Sequence, residues 1–220
     1  MHTDLGKHTV RSFDDKLEDI SSLILSMSKL TIKSISLIES AIKGEGDLIN
    51  KAQDHDKKVN QHDYEIASEV VAFIALRQPK AYDLRFAVSA IKVASNLERV
   101  GDYAKGVVRK IAKSDLHISK THQEELLKMT KIAQEMVKDS VNALLKNDLN
   151  KAAKVLAKDD EIDGIYRAIF ADFSNNKLDE SSRELINVIF IAKSIERLAD
   201  HASNIASIVN YIVTGKTIEN

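Results

Sequence analysis

Acidic side chains spaced four positions apart are the residues of this sequence best placed to do chemistry. Four pairs stand out because they occupy matching places in the two halves of the chain; three are both acidic, and the fourth replaces one carboxylate with an amide. The four pairs are Asp56 with Asn60, Glu98 with Asp102, Asp159 with Asp163, and Glu196 with Asp200. On a helix such residues share one face, about 5–6 Å apart between Cβ atoms, and like charges there repel. Repeated acidic pairs therefore suggest a compensating gain.

Binding of a hard cation would provide that gain. Carboxylate and amide oxygens from two neighbouring helices form an oxygen-rich site suited to Mg²⁺, Mn²⁺, Ca²⁺ or iron. A short connection around Pro79 predicts that the helices before and after it pack antiparallel. That packing would bring Asp56 and Asn60 beside Glu98 and Asp102. We therefore treat all eight paired residues as candidate metal ligands.

The acidic pairs are also compatible with two roles that differ from a structural metal site. Glu98 and Asp102 follow core positions by one residue, so they could flank the core and pair with Lys105 or Arg99. The chain would then be a helical scaffold that binds no metal. The second alternative is a metalloenzyme that uses the same carboxylates on small phosphate esters.

More specific catalytic motifs receive little support. His55-Asp56 and His62-Asp63 are His-Asp dipeptides of the kind found in helical phosphohydrolases, but no further ligand set accompanies them. A di-iron carboxylate bundle uses Glu-x-x-His motifs, and none occurs. There is no cysteine, no glycine-rich phosphate loop, and no pattern that arranges a serine and a histidine as nucleophile and base. We expect no catalytic residues.

The elements that must position these residues are helices. Apolar residues recur at steps of three and four almost throughout. One proline and seven glycines are too few for the many turns of a β-rich fold. Gly44, Gly46 and Pro79 mark breaks, and Asp47 is a good N-cap. The prediction is an all-α protein of six long helices at about 8–43, 48–77, 81–113, 120–146, from 148 onward, and 180–213.

The two halves of the chain resemble each other. Glu98-Arg99-x-x-Asp102 recurs 98 positions later as Glu196-Arg197-x-x-Asp200, inside matching apolar stripes. Asp56-x-x-Val59 recurs as Asp159-x-x-Ile162, at an offset of 103. We interpret this as an internal duplication of a three-helix bundle, with the first repeat at 1–115 and the second at 116–220.

Charge and hydropathy limit the partners and the compartment. With 32 basic and 33 acidic residues the net charge is −1, so no broad basic field is available for nucleic acid. The N-terminus shows no apolar signal core, and the longest stretch without charged residues, 201–215, is shorter than the roughly 20 apolar residues of a membrane span. We predict a cytoplasmic protein, compatible with peripheral association with a membrane complex.

The combined motifs resemble one family. Arg77-Gln78-Pro79-x-Ala81-x-Asp83-Leu84-Arg85 followed by Glu98-Arg99-Val100-Gly101-Asp102 is similar to the first-repeat signature of PhoU, the bacterial phosphate-uptake regulator. The segment Glu196-Arg197-Leu198-Ala199-Asp200-His201-Ala202-x-Asn204 is similar to the second-repeat signature, and Phe13-Asp14-x-x-Leu17 also matches. The resemblance covers essentially the whole chain.

That resemblance implies two three-helix bundles side by side with outward-facing metal sites, holding iron, zinc, manganese or magnesium. It implies a non-enzymatic adaptor between the cytoplasmic components of the phosphate ABC transporter and a sensor histidine kinase. Such an adaptor holds the phosphate-starvation response off and restrains uptake. We also expect a homodimer, for which apolar helix faces provide area.

Two departures from the family pattern concern the first repeat. Asn60 makes its predicted site less anionic than the second, and Gly106 stands where the second repeat has Asn204. We therefore expect the first repeat to bind metal more weakly.

Overall fold

The computed structural model describes residues 5–113, 118–175 and 182–216. Over these ranges the chain forms six α-helices and no strand, which confirms the predicted all-α class. The helices are α1 (Leu5–Ile42), α2 (Ile49–Arg77), α3 (Ala81–Lys113), α4 (Lys120–Lys146), α5 (Leu149–Asn175) and α6 (Ser182–Thr214). The Phe13-Asp14 dipeptide lies early in α1, where side chains fall outside the described part.

Local sequence explains where α1 and α4 end. Gly44, with φ +75°, follows α1 in the left-handed conformation that glycine adopts without a Cβ clash. Its N–H donates to Ala41 and the next N–H donates to Ser40, which satisfies two of the last carbonyls of α1. Asn147, with φ +52°, ends α4 in the same way.

Aspartates mark the starts of α2 and α5. Asp47 Oδ1 accepts from the Ile49 N–H at 3.3 Å, and Asp148 Oδ1 accepts from the Lys151 N–H at 2.9 Å. Because Asp148 caps α5 from outside, the helix begins at Leu149, one residue later than predicted. The predicted break at Pro79 separates α2 from α3 as expected.

The helices pack as two three-helix units joined side by side. Helices α1, α2 and α3 contact one another, as do α4, α5 and α6, and the units meet through α3 with α6 and α1 with α4. The units share one apolar core, in which a fully buried Ile, Leu or Met contributes about 1.5–3 kcal/mol. Fully buried examples are Ile24, Val59 and Leu97 in the first unit and Met136, Ile162 and Leu198 in the second.

Helix α1 is long and apolar enough over Asp15–Ile42 to cross a membrane, judged by length and composition. Buried core helices pass the same test, so the finding is weak support for a span. Ile20, Ile24, Met27 and Ile35 on this helix are fully buried within the protein. The apolar character of α1 is therefore explained by its packing against α2, α3 and α4.

Candidate functional site

The first acidic set lies between α2 and α3, where the antiparallel packing expected from Pro79 brings carboxylates together. Lys105 Nζ on α3 lies 2.8 Å from Asp56 Oδ2 on α2 and 2.8 Å from Asp102 Oδ1 on its own helix. The helices approach closely here because Gly101 faces Val59, whose Cγ1 would be 3.4 Å from a Cβ at the glycine. Three of the four residues predicted in this repeat thus belong to one cluster.

The fourth predicted residue in this repeat is Asn60. It is exposed, and it makes no hydrogen bond or ion pair with the other three. Asp63, one turn further along α2, is half-buried and close enough to Glu98 to raise the pKa of that carboxyl. The first acidic set is therefore Asp56, Asp63, Glu98 and Asp102. Asp63 could have been found in the sequence, because it follows Asp56 by seven residues, which is two helical turns.

The ammonium of Lys105 controls the electrostatics of the first acidic set. Burial alone would raise the pKa of Asp102, but hydrogen bonding and charge attraction from Lys105, with smaller hydrogen-bond contributions from Asp56 and Glu98, outweigh it and lower that pKa. Glu98 forms no ion pair with this lysine, so burial and the neighbouring Asp102 raise its pKa. Arg99 gives Glu98 only a loose ion pair, 3.6 Å from its Nε to Oε2, on a largely exposed side chain.

The second acidic set, between α5 and α6, contains all four residues predicted in that repeat: Asp159, Asp163, Glu196 and Asp200. Burial raises the pKa of Asp200 to about 6, with further contributions from the charges of Glu196, Asp159 and Asp163. Lys193 stands at the edge of the set, donating to Glu196 Oε1 at 2.5 Å and lying over the Tyr166 ring. Repulsion among the four carboxylates is thus only partly balanced.

Two buried oxygen atoms in or beside the second acidic set lack a hydrogen-bond partner. They are Glu196 Oε2 and Ser203 Oγ. The Ser203 hydroxyl lies near enough to Asp159 to oppose the rise in its pKa caused by burial, yet it makes no hydrogen bond of ordinary geometry. Leaving a buried oxygen unpaired costs about 1–3 kcal/mol. The second repeat therefore holds buried oxygen atoms without a partner, and a bound cation could take them as ligands.

The two sets differ in how well they suit a metal ion. Among the described residues, no three Asp, Glu or His side chains already converge on one point that an ion could occupy. The second set nevertheless fits a hard cation in its chemistry, because its donors are all oxygens and two oxygens, Glu196 Oε2 and Ser203 Oγ, are unpaired. The first set fits poorly, because Lys105 already bridges Asp56 and Asp102.

The two sets flank the contact between α3 and α6. At that contact the rings of Tyr103 and His201, which occupy equivalent positions in the two repeats, pack with centroids 5.7 Å apart. His201 Nδ1 also hydrogen-bonds to Asn96 Oδ1 at 2.9 Å. Each ring is the neighbour in sequence of an acidic residue, Asp102 or Asp200, so the two sets lie on either side of one packed interface.

Comparison with known proteins agrees with this architecture. The model of the PhoU domain matches residues 24–111 and, separately, residues 126–209, one match in each predicted repeat. The chain belongs to the PhoU family. The family resemblance inferred from the Glu-Arg-x-x-Asp motifs is thereby confirmed.

Relatives align along nearly their whole length. The phosphate-specific transport system accessory protein PhoU homolog of Zymomonas mobilis is 34% identical over 212 residues, covering 95% of this chain and 90% of that protein. The corresponding homolog of Caulobacter vibrioides is 31% identical, covering 97% and 95%. PhoU relatives are named accessory or regulatory proteins, so this chain is an accessory protein and not an enzyme.

Solved PhoU structures share the fold. The crystal structure of PhoU from Pseudomonas aeruginosa superposes with a TM-score of 0.85 at 30% identity, covering 93% of this chain and all of that one. The phosphate transport system regulatory protein PhoU from Streptococcus pneumoniae gives 0.86 at 25% identity, covering 94% and 100%. The tandem helical architecture is therefore that of PhoU.

Proposed function

We propose that this chain is the accessory regulator of a phosphate-specific transport system, linking the cytoplasmic components of the ABC transporter to a sensor histidine kinase. In this role it restrains phosphate uptake and holds the phosphate-starvation response off while phosphate is ample. The observation that carries the proposal is the match of the PhoU domain to both halves of the chain, with relatives named as transport accessory proteins along its full length.

The surface of the chain is suited to docking. Each acidic set is partly open to solvent: in the first, Asp102 retains 37% of its side-chain exposure and Glu98 retains 23%, and the second is also only partly buried. Such carboxylates can pair with basic groups of a partner and give the contact its orientation. Because the transporter components and the kinase would be met at the inner face of the membrane, we place the chain in the cytoplasm.

Apolar side chains on α2 offer a second contact surface. Tyr64 and Val71, seven residues apart on one face of α2, are 77% and 63% exposed, and Leu76 near the end of the helix is 79% exposed. We assign this surface to a homodimer, and sedimentation equilibrium at micromolar concentration measures it. A monomer under those conditions would remove this part of the proposal.

Deletion of the gene tests the regulatory role. A reporter fused to a phosphate-starvation promoter is expected to be expressed in phosphate-rich medium in the deletion strain, because the negative regulator is missing. Plasmid-borne wild-type chain should restore repression, and an empty plasmid is the matched control. Normal repression in the deletion strain would contradict the proposed function.

A divalent metal ion is the cofactor that we propose for the second acidic set. The ligands would come from Asp159, Asp163, Glu196 and Asp200. Iron, zinc, manganese and magnesium can all be coordinated by carboxylate oxygens. When bound, the ion would neutralise repulsion among these groups and organise the surface that contacts partners.

Elemental analysis of untagged chain purified without chelator tests this cofactor. The Glu196→Gln variant is expected to lose most of the bound metal, because it removes a ligand charge while keeping the side-chain size. Gln123→Glu, on α4 away from the set, is the control. Equal metal in the wild type and in Glu196→Gln would withdraw the metal proposal without affecting the regulatory one.

A further inference from the structure

The two repeats carry their lysines in reciprocal positions around the acidic sets. In the first repeat the positions equivalent to Lys193 and Ser203, 98 residues earlier, are Ser95 and Lys105. Each repeat therefore has one lysine and one serine at these two places, but in opposite order. The consequence depends on where each position lies relative to the carboxylates.

Position 105 lies between the two helices, whereas position 193 lies at the edge. Lys105 Nζ is 2.8 Å from carboxylate oxygens of both α2 and α3, and the Asp56 side chain that it contacts is only 14% exposed. Lys193 contacts a single carboxylate oxygen of its own helix, Glu196 Oε1. An ammonium group therefore bridges carboxylates of two helices in the first repeat, whereas Lys193 pairs with one carboxylate and reaches the neighbouring helix only through the Tyr166 ring.

A tethered ammonium placed in this way competes directly with a metal ion. It provides three N–H donors to the oxygens that an ion would need, and it is always present because it is part of the chain. A divalent ion would have to break both ion pairs and would then be repelled by the displaced lysine.

Solvent access does not explain why the two acidic sets would differ in metal binding. A cleft of about 240 Å³ opens beside the first acidic set and is lined in part by Asp56 and Lys105. A hydrated ion can thus reach Asp56, although Lys57, Lys105 and Arg109 make the cleft basic. Burial therefore does not exclude an ion, and the cationic group that contacts Asp56 directly is Lys105.

We propose that the first acidic set is neutralised by the chain's own Lys105 and takes no metal ion, so that of the two acidic sets only the second, in the second repeat, is a cation site. Lys105 holds α2 against α3 in the way that a cation would hold α5 against α6 beside Ser203. This inference rests on the metal-binding part of the proposed function, and it is independent of the regulatory part. It replaces the expectation that both repeats bind metal.

Exchange of the two residues tests the proposal. Binding of Mn²⁺ to the full chain is measured by equilibrium dialysis, with free Mn²⁺ counted by electron paramagnetic resonance. The Lys105→Ser variant, which copies the second repeat, is expected to bind one more Mn²⁺ than the wild type. That extra ion should be lost again when Glu98→Gln is added. The reciprocal Ser203→Lys variant is expected to bind one fewer than the wild type.

Control variants distinguish the effect of the position of the lysine from the effect of the net charge. Lys92→Ser, on the exposed face of α3, removes the same charge and is expected to leave the Mn²⁺ count unchanged. Lys105→Gln keeps much of the length of the stem and should also gain an ion, and circular dichroism verifies that each variant is folded. Loss of Mn²⁺ from the wild type on Glu98→Gln alone would overturn the proposal, as would folded Lys105→Ser and Lys105→Gln chains that gain none. The starvation-promoter reporter is read separately, so failure of the regulatory proposal remains distinguishable.

Discussion

At the scale of single residues, the placement of charge distinguishes the two repeats more than the acidic motifs themselves do. Both repeats keep Glu-Arg-x-x-Asp, yet Asp102 forms an ion pair with Lys105 at 2.8 Å, whereas Lys193 acts on Asp200 only as a nearby charge. The carboxylates of the second acidic set therefore repel one another in the metal-free protein. Such repulsion lowers stability and is retained where a ligand compensates for it.

The pH dependence of stability should reveal this repulsion. The pKa of Asp200 is raised from 3.8 to about 6 in the folded chain, so between these values the folded state binds more protons than the unfolded state. The free energy of unfolding therefore falls as pH rises through this window, and the full penalty is present above about pH 6. Asp200→Asn should remove the penalty and stabilise the metal-free protein at pH 7.5 by about 1 kcal/mol, after allowance for solvent screening.

Urea unfolding with chelator present, at pH 4.5 and 7.5, measures this effect. The gain from Asp200→Asn should shrink at pH 4.5, where the carboxyl is already protonated in the folded state. Asp54→Asn, on the exposed surface of α2, is the control. A variant less stable than the wild type at pH 7.5 would contradict the prediction.

At the scale of helices, capping residues define several helix ends, whereas one position inside a helix is occupied by a residue of low helix propensity. Left-handed residues close α1 and α4, and aspartates start α2 and α5. Gly164, in contrast, is an exposed glycine inside α5, and a Cβ built there would have no neighbour within 4 Å. Packing does not require this glycine.

Gly164→Ala is therefore expected to stabilise the protein by about 0.5–1 kcal/mol, because alanine loses less backbone entropy in a helix. Gly44→Ala is the matched opposite case: its φ of +75° is unfavourable for a residue with a Cβ, so that variant should be destabilised by about 1 kcal/mol. Thermal unfolding followed by circular dichroism at 222 nm compares the two. Equal shifts of the same sign in the two melting temperatures would show that backbone conformation does not cause the changes in stability.

At the scale of the whole molecule, the duplication places two similar hairpins around a shared interface. Arg85 Nε donates to the Ile212 carbonyl at 3.0 Å, and Gln134 Nε2 donates to Ser36 Oγ at 2.8 Å, so the repeats are joined by directional bonds as well as by core packing. Both acidic sets flank this interface. A partner that contacts one set therefore meets a surface whose orientation depends on both repeats.

The sequence by itself determined the helices, most of their boundaries and the chemistry of the acidic motifs. These are local properties: the three-to-four periodicity, Gly44, Asp47 and Pro79 act within a few residues of themselves. The same is true of the spacing that places Glu98 with Asp102 and Glu196 with Asp200 on one helical face. The family resemblance followed from these same residues.

Only the tertiary structure decided which carboxylates lie close together and which lysine contacts them. Asp63 comes near Glu98 because α2 and α3 approach closely where Val59 packs on Gly101, which lies far away in the sequence. Lys105 bridges carboxylates of two helices while Lys193 pairs with one carboxylate and lies over an aromatic ring, although each is three residues from an acid of its own helix. The reach of a long side chain across a helix pair depends on the distance and angle between the helices, and these arise from the assembled core.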